Sequence, residues 1–394
     1  MRKIACTIVI CAGVVVCCAV FSAAASAQQT PAAAKEQVSG LDKSFMDTTA
    51  DPCVNFAQYA CGTFSKLYPI PADKSGYGTF SIVYDQTQEK LDALLKKVEA
   101  NNASRTVNEQ KIGDFFASCM DESAIQAEGL KPLKSDFERI ANLKSKSELT
   151  ALLAHDQMIN VNAFFGYGEQ QDFKDARKQI ASVDQGGLGL PERDYYLRTG
   201  AAPEKTRQQY VQHITNTLKL LGETDAAAAS DAAKIMALET ALAKVSMDIT
   251  SQRDPKNVYH PMTVAQLTAL TPAIAWPRFF EDTGEHGISD LNVANPDFFK
   301  GLNALIESTD LETIKTYLRW HLILGMPGYA LPAALDEERF NFFGHQLSGQ
   351  PQQRARWKRC VQATDGALGE ALGGSVREGL FPAGEQAADG ADGS

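Results

Sequence analysis

Asp184-Gln185-Gly186-Gly187-Leu188-Gly189-Leu190-Pro191-Glu192-Arg193-Asp194-Tyr195-Tyr196-Leu197 is the most informative stretch of the chain. Gly186, Gly187 and Gly189 look at first like a phosphate-cradling loop. Such a loop opens a helix whose N-terminus carries Lys followed by Ser or Thr, because the unpaired backbone N–H groups there hold the anion. Leu190 and Pro191 follow instead, so the run reads as a shaped turn. Arg193, Asp194 and Tyr195 have the composition of a cavity or loop motif. A charged pair beside aromatics is more often an ion pair that buttresses a loop than a proton-transfer device, so these three read as loop supports.

On either side of this turn the chain reads as helix after helix. Phe80, Val83, Leu91, Leu94, Leu95 and Val98 fall on one helical stripe, as do Ile112, Phe115, Phe116 and Cys119. Tyr210, Val211, Ile214, Leu218 and Leu221 repeat the pattern, followed by Ile235, Met236, Leu238, Leu242 and Val245. Ser145 with Glu148, and Thr309 with Glu312, have capping-box spacing and predict helix starts near Leu149 and Leu311. Pro327 and Pro332 break the last long run. Strand alternation is scarce; Phe164 to Ile180, rich in aromatics and glycine, predicts a short extended piece crossing a helical bundle. The fold class expected is mainly α, a multi-helix assembly with no internal repeat.

The chain has 394 residues, 44% hydrophobic and 22% charged, which is an ordinary globular balance and excludes collagen and wholesale disorder. A net charge of −10 offers no cationic field for phosphates, so nucleic acid is not an expected partner. Arg2 and Lys3, the apolar run Ile4 to Phe21, and Ala25-Ser26-Ala27 have the layout of a secretory signal over residues 1–27. A flexible leader is expected over 28–39. Val14-Val15-Val16 lacks the small residue that a lipid-attachment box places before its cysteine. No later segment is long and apolar enough to span a bilayer, so the protein is expected to be exported, periplasmic or extracellular, with no stable membrane span after cleavage. Four of the eight cysteines leave with the signal. Cys53, Cys61, Cys119 and Cys360 remain in an oxidising compartment and allow three pairings. Helical spacing around Cys53 and Cys61 would hold their Cα atoms about 12 Å apart, too far for a mutual disulfide.

Motifs that carry chemistry are largely absent. His155, His213, His260, His286, His321 and His345 are scattered, with no His-Glu-x-x-His to set two imidazoles on one helical face. No nucleophile elbow or dinucleotide fingerprint is present. His260, between Tyr259 and Pro261, reads as a turn residue, and Trp276, Trp320 and Trp357 sit in apolar helical contexts that read as core. No catalytic and no metal-ligating residue is assigned.

Several segments together carry a resemblance. Asp51-Pro52-Cys53-Val54-Asn55-Phe56-Ala57-Gln58-Tyr59-Ala60-Cys61-Gly62, then Tyr77-Gly78-Thr79-Phe80, then Ser118-Cys119-Met120-Asp121-Glu122-Ser123, the 184–197 stretch and Arg356-Trp357-Lys358-Arg359-Cys360 resemble, in order, the motifs of the neprilysin-like zinc metallopeptidases. The resemblance implies the N-terminal lobe, over 40–373, of a two-lobed helical endopeptidase that encloses a cavity and cuts small peptides. It implies zinc as the complete enzyme's cofactor, with its ligands in a C-terminal catalytic lobe that this chain lacks, and peptide substrates as partners of the complete parent. It also implies a disulfide between Cys119 and Cys360, and leaves Cys53 and Cys61 unpaired because their partners lie in the missing lobe. Two arginines on the substrate side of the family's namesake align with Gly76 and Tyr84, neither of which offers a bidentate fork. Residues 374–394 dissolve into Gly, Ala, Asp and Glu and predict a disordered tail. Truncation near Gly373, giving an inactive form, is the expectation; a stand-alone exported module that binds peptides or a protein without cleaving them is the alternative.

Overall fold

The computed structural model describes residues 42–100 and 104–380. The expected signal and leader, and residues 381–394 of the expected tail, lie outside them. The chain divides after Tyr68 into two compact units.

The first unit, from residue 42 to 68, contains no buried residue. It is tied together by an aromatic group in which Phe45 meets Phe64 and Tyr68 edge-on at 5.0 and 6.0 Å, and by the Thr63 hydroxyl donating to the Ser44 carbonyl at 2.5 Å. Of its two short α-helices, Phe56–Cys61 and Phe64–Leu67, the first starts at Phe56 because Asn55 caps it by accepting from the Gln58 N–H at 3.0 Å. The helix expected through both cysteines is therefore corrected. Cys53 lies in the preceding turn, its N–H donating to Asp51 at 2.8 Å.

The second unit is mainly α, and three apolar cores organise it. In one, the Thr79–Ala100, Val107–Met120 and Arg356–Leu380 helices bury Leu91, Leu95, Val98, Ile112, Phe116, Cys360 and Leu372. The stripe predicted from Phe80 to Val98 is buried only in its second half. Phe80 is 91% and Val83 53% exposed, because only the C-terminal turns of that helix reach this core. A second core joins Tyr210, Ile214, Leu218, Ile235, Trp320 and Phe342. The largest surrounds a four-stranded sheet of order β1 (Phe165–Gln171), β2 (Gln179–Gln185), β4 (Asp290–Val293), β3 (Pro261–Thr263). β1 and β2 form an antiparallel hairpin with Phe165 opposite Gln185, β2 runs parallel to β4, and β3 closes the edge antiparallel to β4. The extended piece near Phe164 is thus one edge of a small sheet. Phe165 anchors it among Trp276, Phe279 and Phe299.

Two expected capping boxes are replaced. Asp310, not Thr309, caps the Leu311–Gly325 helix, accepting from the Thr313 N–H at 2.8 Å. Ser145 makes no cap bond to the backbone; Glu148 instead accepts from the Lys144 N–H at 3.0 Å, and a 3-10 turn over Lys146–Glu148 leads into Leu149–Met158. Complete boxes occur at Thr106 with Glu109 and at Thr263 with Gln266. The last helix runs past Gly373 to Leu380, so the boundary expected there falls inside an element.

Candidate functional site

The 184–197 loop is folded around a buried carboxylate. Gly187 has φ +75°, and any β-carbon on it would meet the Phe164 backbone at 2.7 Å. A side chain on Gly189 would overlap the Tyr210 hydroxyl. These two glycines let the loop lie directly on the core. The Tyr317 hydroxyl then donates to the Gly187 carbonyl at 2.9 Å and accepts from the Phe164 N–H at 3.0 Å. At the end of the turn the Leu190 N–H donates to the Tyr196 hydroxyl at 2.8 Å, and that hydroxyl donates to Glu239 at 2.7 Å.

Glu239 is fully buried. It accepts from the Tyr210 hydroxyl at 2.8 Å and the Trp320 indole N–H at 3.2 Å, and lies 3.1 Å from His321 Nε2. Burial first, and the Glu239 charge second, push the Tyr196, Tyr210 and Tyr317 hydroxyls well above their ordinary range. They therefore stay protonated as donors, Tyr196 and Tyr210 to Glu239 and Tyr317 to the Gly187 carbonyl, which satisfies the buried Glu239 oxygens. The sequence does not disclose this hub. Its one signal there is a Glu four residues after Ile235, on a stripe that continues through Leu242.

Arg193, Asp194 and Tyr195 stand at the closing end of the loop. Arg193 Nη1 donates to the Ser246 carbonyl at 2.6 Å and its Nε lies 3.8 Å from Asp194. Asp194 also pairs with Arg198 at 3.0 Å, and the Tyr195 carbonyl accepts from Arg207. Their polar groups tie loop to helix, and the half-buried Tyr195 ring packs on the second core.

The histidines do not converge. His155 pairs with Asp136 at 2.7 Å, His213 with Glu338 at 3.0 Å, and His321 with Glu239. His260 directly precedes β3, its backbone N–H donating to the Asn292 side chain at 2.8 Å. His286 and His345 are exposed. Burial, the larger effect, lowers the His213 pKa against the pull of Glu338. The cavity beside His213 and Trp320 is about 10 Å³, space for a single water. Among the described residues no group of three His, Cys, Asp or Glu side chains is placed to hold a metal ion. Trp276 and Trp320 are core residues, and Trp357 packs half-buried beside the disulfide.

Cys119 and Cys360 are joined across a sequence separation of 241 with Cα atoms 5.7 Å apart. Arg356 secures the same point, its guanidinium donating to the Cys119 carbonyl at 2.8 Å and the Tyr329 carbonyl at 2.8 Å. Cys53 and Cys61 are free and exposed. The Tyr84 ring lies 5.6 Å beneath the Arg354 guanidinium, which donates to the Tyr84 hydroxyl at 3.2 Å. A guanidinium thus stands beside one of the two positions where the sequence offers none.

The fold is a mainly helical one closed by the Cys119–Cys360 disulfide, and no metal-ligand set occurs among its described residues. The model of peptidase family M13, in its N-terminal region, matches residues 52–389. Endothelin-converting enzyme 1 is 32% identical over 345 residues in Rattus norvegicus and over 347 in Homo sapiens, covering 83% and 84% of this chain and 44% of each relative. The Mycobacterium tuberculosis zinc metalloprotease Zmp1, in complex with an inhibitor, superposes with a TM-score of 0.82 at 29% identity, over 86% of this chain and 52% of that one. The chain belongs to peptidase family M13, the neprilysin-like zinc metallopeptidases, and corresponds to the N-terminal domain. It spans about half the length of the curated relatives it matches.

Proposed function

We propose that this chain is the cavity-walling N-terminal lobe of an exported zinc metalloendopeptidase that cleaves small peptides, and that it performs no hydrolysis by itself. The donors needed for zinc do not fit: among the described residues no cluster of ligands exists, so no bond-breaking step is assigned to this lobe. Its contribution is a rigid wall, closed by the Cys119–Cys360 disulfide and by the 184–197 loop seated on Glu239. The signal-like residues 1–27 and a disulfide of this kind support export. Residues 40–373 are proposed as the lobe and 374–394 as a tail whose first turns are helical.

The observation that carries the reading is the exposed apolar face at the start of the Thr79–Ala100 helix, where Phe80 and Val83 stand one turn apart. Phe80 is 91%, Ile70 59% and Val83 53% exposed in the second unit, and Val54 84% and Phe56 68% in the first. Apolar groups of this size on a soluble lobe suit a covering partner, and a catalytic lobe of the family's kind is that partner in this reading. Translating the coding DNA beyond codon 373 in all three frames tests it. His-Glu-x-x-His followed by a further Glu is the expected result; finding no such motif would favour the stand-alone binding module.

A further inference from the structure

The Ala333–Arg339 helix passes into a π-helical stretch, Phe340–Leu347, where the Ser348 hydroxyl reaches back to the Phe343 carbonyl at 2.7 Å. Such wide turns are frequent at functional sites. Lined by this stretch, the loop after it and the start of the last helix is a cavity of about 440 Å³ that lies largely open to solvent.

Its wall carries three guanidiniums, from Arg339, Arg354 and Arg359, and one carboxylate, Asp336. Asp336 is already engaged: one oxygen pairs with Arg359 Nη1 at 2.6 Å and the other accepts from the Gln353 amide at 3.1 Å. Arg339 and Arg354 have no carboxylate partner among the described residues. Arg339 donates to the Leu324 carbonyl at 2.8 Å and lies 5.6 Å above the Phe343 ring. Arg354 donates to the Gln362 amide oxygen at 2.6 Å and to the Tyr84 hydroxyl. The Nε atoms of Arg354 and Arg359 are buried with no acceptor. Burial also lowers the Arg339 pKa, the nearby Asp336 only partly opposing it. Three guanidiniums against one carboxylate leave this wall net positive, which an anion seated beside Arg339 and Arg354 would offset. A bare inorganic ion would leave most of the volume empty and the Phe340 and Phe343 rings unused.

We propose that this cavity binds a small organic oxyanion, its carboxylate or phosphate group facing Arg339 and Arg354 and its apolar body lying against Phe340 and Phe343. The proposal is independent of peptidase activity. Calorimetric titration of the purified full chain with phenyl phosphate, 3-phenylpropionate, benzyl alcohol and inorganic phosphate tests it. At least one of the two aromatic oxyanions is expected to saturate a single site, and the tighter of them identifies the headgroup. Benzyl alcohol is expected not to bind, and inorganic phosphate to bind more weakly. Loss of a charged hydrogen bond in Arg354→Gln or Arg339→Gln is expected to weaken binding at least about tenfold. Arg354→Lys keeps the charge and loses the fork, and should fall between. The exposed control Arg278→Gln should leave binding unchanged, and thermal melts confirm that each variant is folded. No saturable binding of either oxyanion, or binding that is equal in folded Arg354→Gln and wild type, would overturn the proposal.

Discussion

Asp156→Asn should reverse a pH-dependent weakness of the fold. Asp156 is 1% exposed and neither of its carboxyl oxygens has a hydrogen-bond partner. Burial, followed by repulsion from Asp136 and opposed only by Arg139, pushes its pKa from 3.8 up to about 7. A group whose native pKa is raised contributes most stability when protonated, below the unfolded value, and loses that contribution as pH climbs through the native value. At about 1.4 kcal/mol for each pH unit between the two values, the rise corresponds to about 4 kcal/mol. Wild type should therefore lose roughly that amount at this site between about pH 4 and about pH 8, whereas asparagine cannot ionise and should lose none of it. Urea titrations of both proteins at integral pH values read the difference in unfolding free energy. That difference should move by about 4 kcal/mol in favour of the variant across the window. A difference that stays constant within about 1 kcal/mol would refute the claim that Asp156 is a buried carboxyl without a partner.

Gly189→Ala forces a methyl onto the Tyr210 hydroxyl and should cost about 1–3 kcal/mol, read as a lowered melting temperature. Glu239→Ala leaves the Tyr196 and Tyr210 hydroxyls without their acceptor and should cost about 3–5 kcal/mol in urea unfolding. The exposed control Lys205→Ala should cost less than about 0.5 kcal/mol in the same assay. Reducing the Cys119–Cys360 bond releases a loop with a sequence separation of 241; on the chain-entropy model this removes about 5 kcal/mol, and an unchanged melting temperature after verified reduction would contradict that. Cys53 and Cys61 should both react with a thiol reagent in the native protein, and Cys119 and Cys360 only after reduction, as peptide mapping would show.

The helices are legible in the sequence because each buries a stripe, and stripes repeat every three or four residues. Spacing alone places Ile112, Phe116 and Cys119 on the face that is buried. Helix starts are less legible: Thr309 and Asp310 are both competent caps, and Asp310, with extended backbone at φ −65° and ψ 153°, is the one whose side chain reaches the Thr313 N–H. Phe80 and Val83 belong to a stripe by spacing yet face outward, since periodicity shows which residues share a face and not whether that face is covered. Beyond a Glu set on an apolar stripe, the Glu239 hub cannot be read in the sequence because its donors are distant along the chain, Tyr196 at 43 positions, Tyr210 at 29 and Trp320 at 81. The glycines of the 184–197 loop read as a turn in one dimension. That Gly187 admits a backbone and Gly189 a tyrosine hydroxyl is visible only in three.

The central claim, that this lobe supplies shape and not chemistry, is tested most directly by zinc content measured together with peptidase activity on the same purified chain. Elemental analysis after exposure to zinc and gel filtration should find far less than one zinc per chain, and a quenched-fluorescence peptide should remain uncut with or without chelator. One tightly held zinc per chain, with cleavage abolished by a chelator, would contradict it.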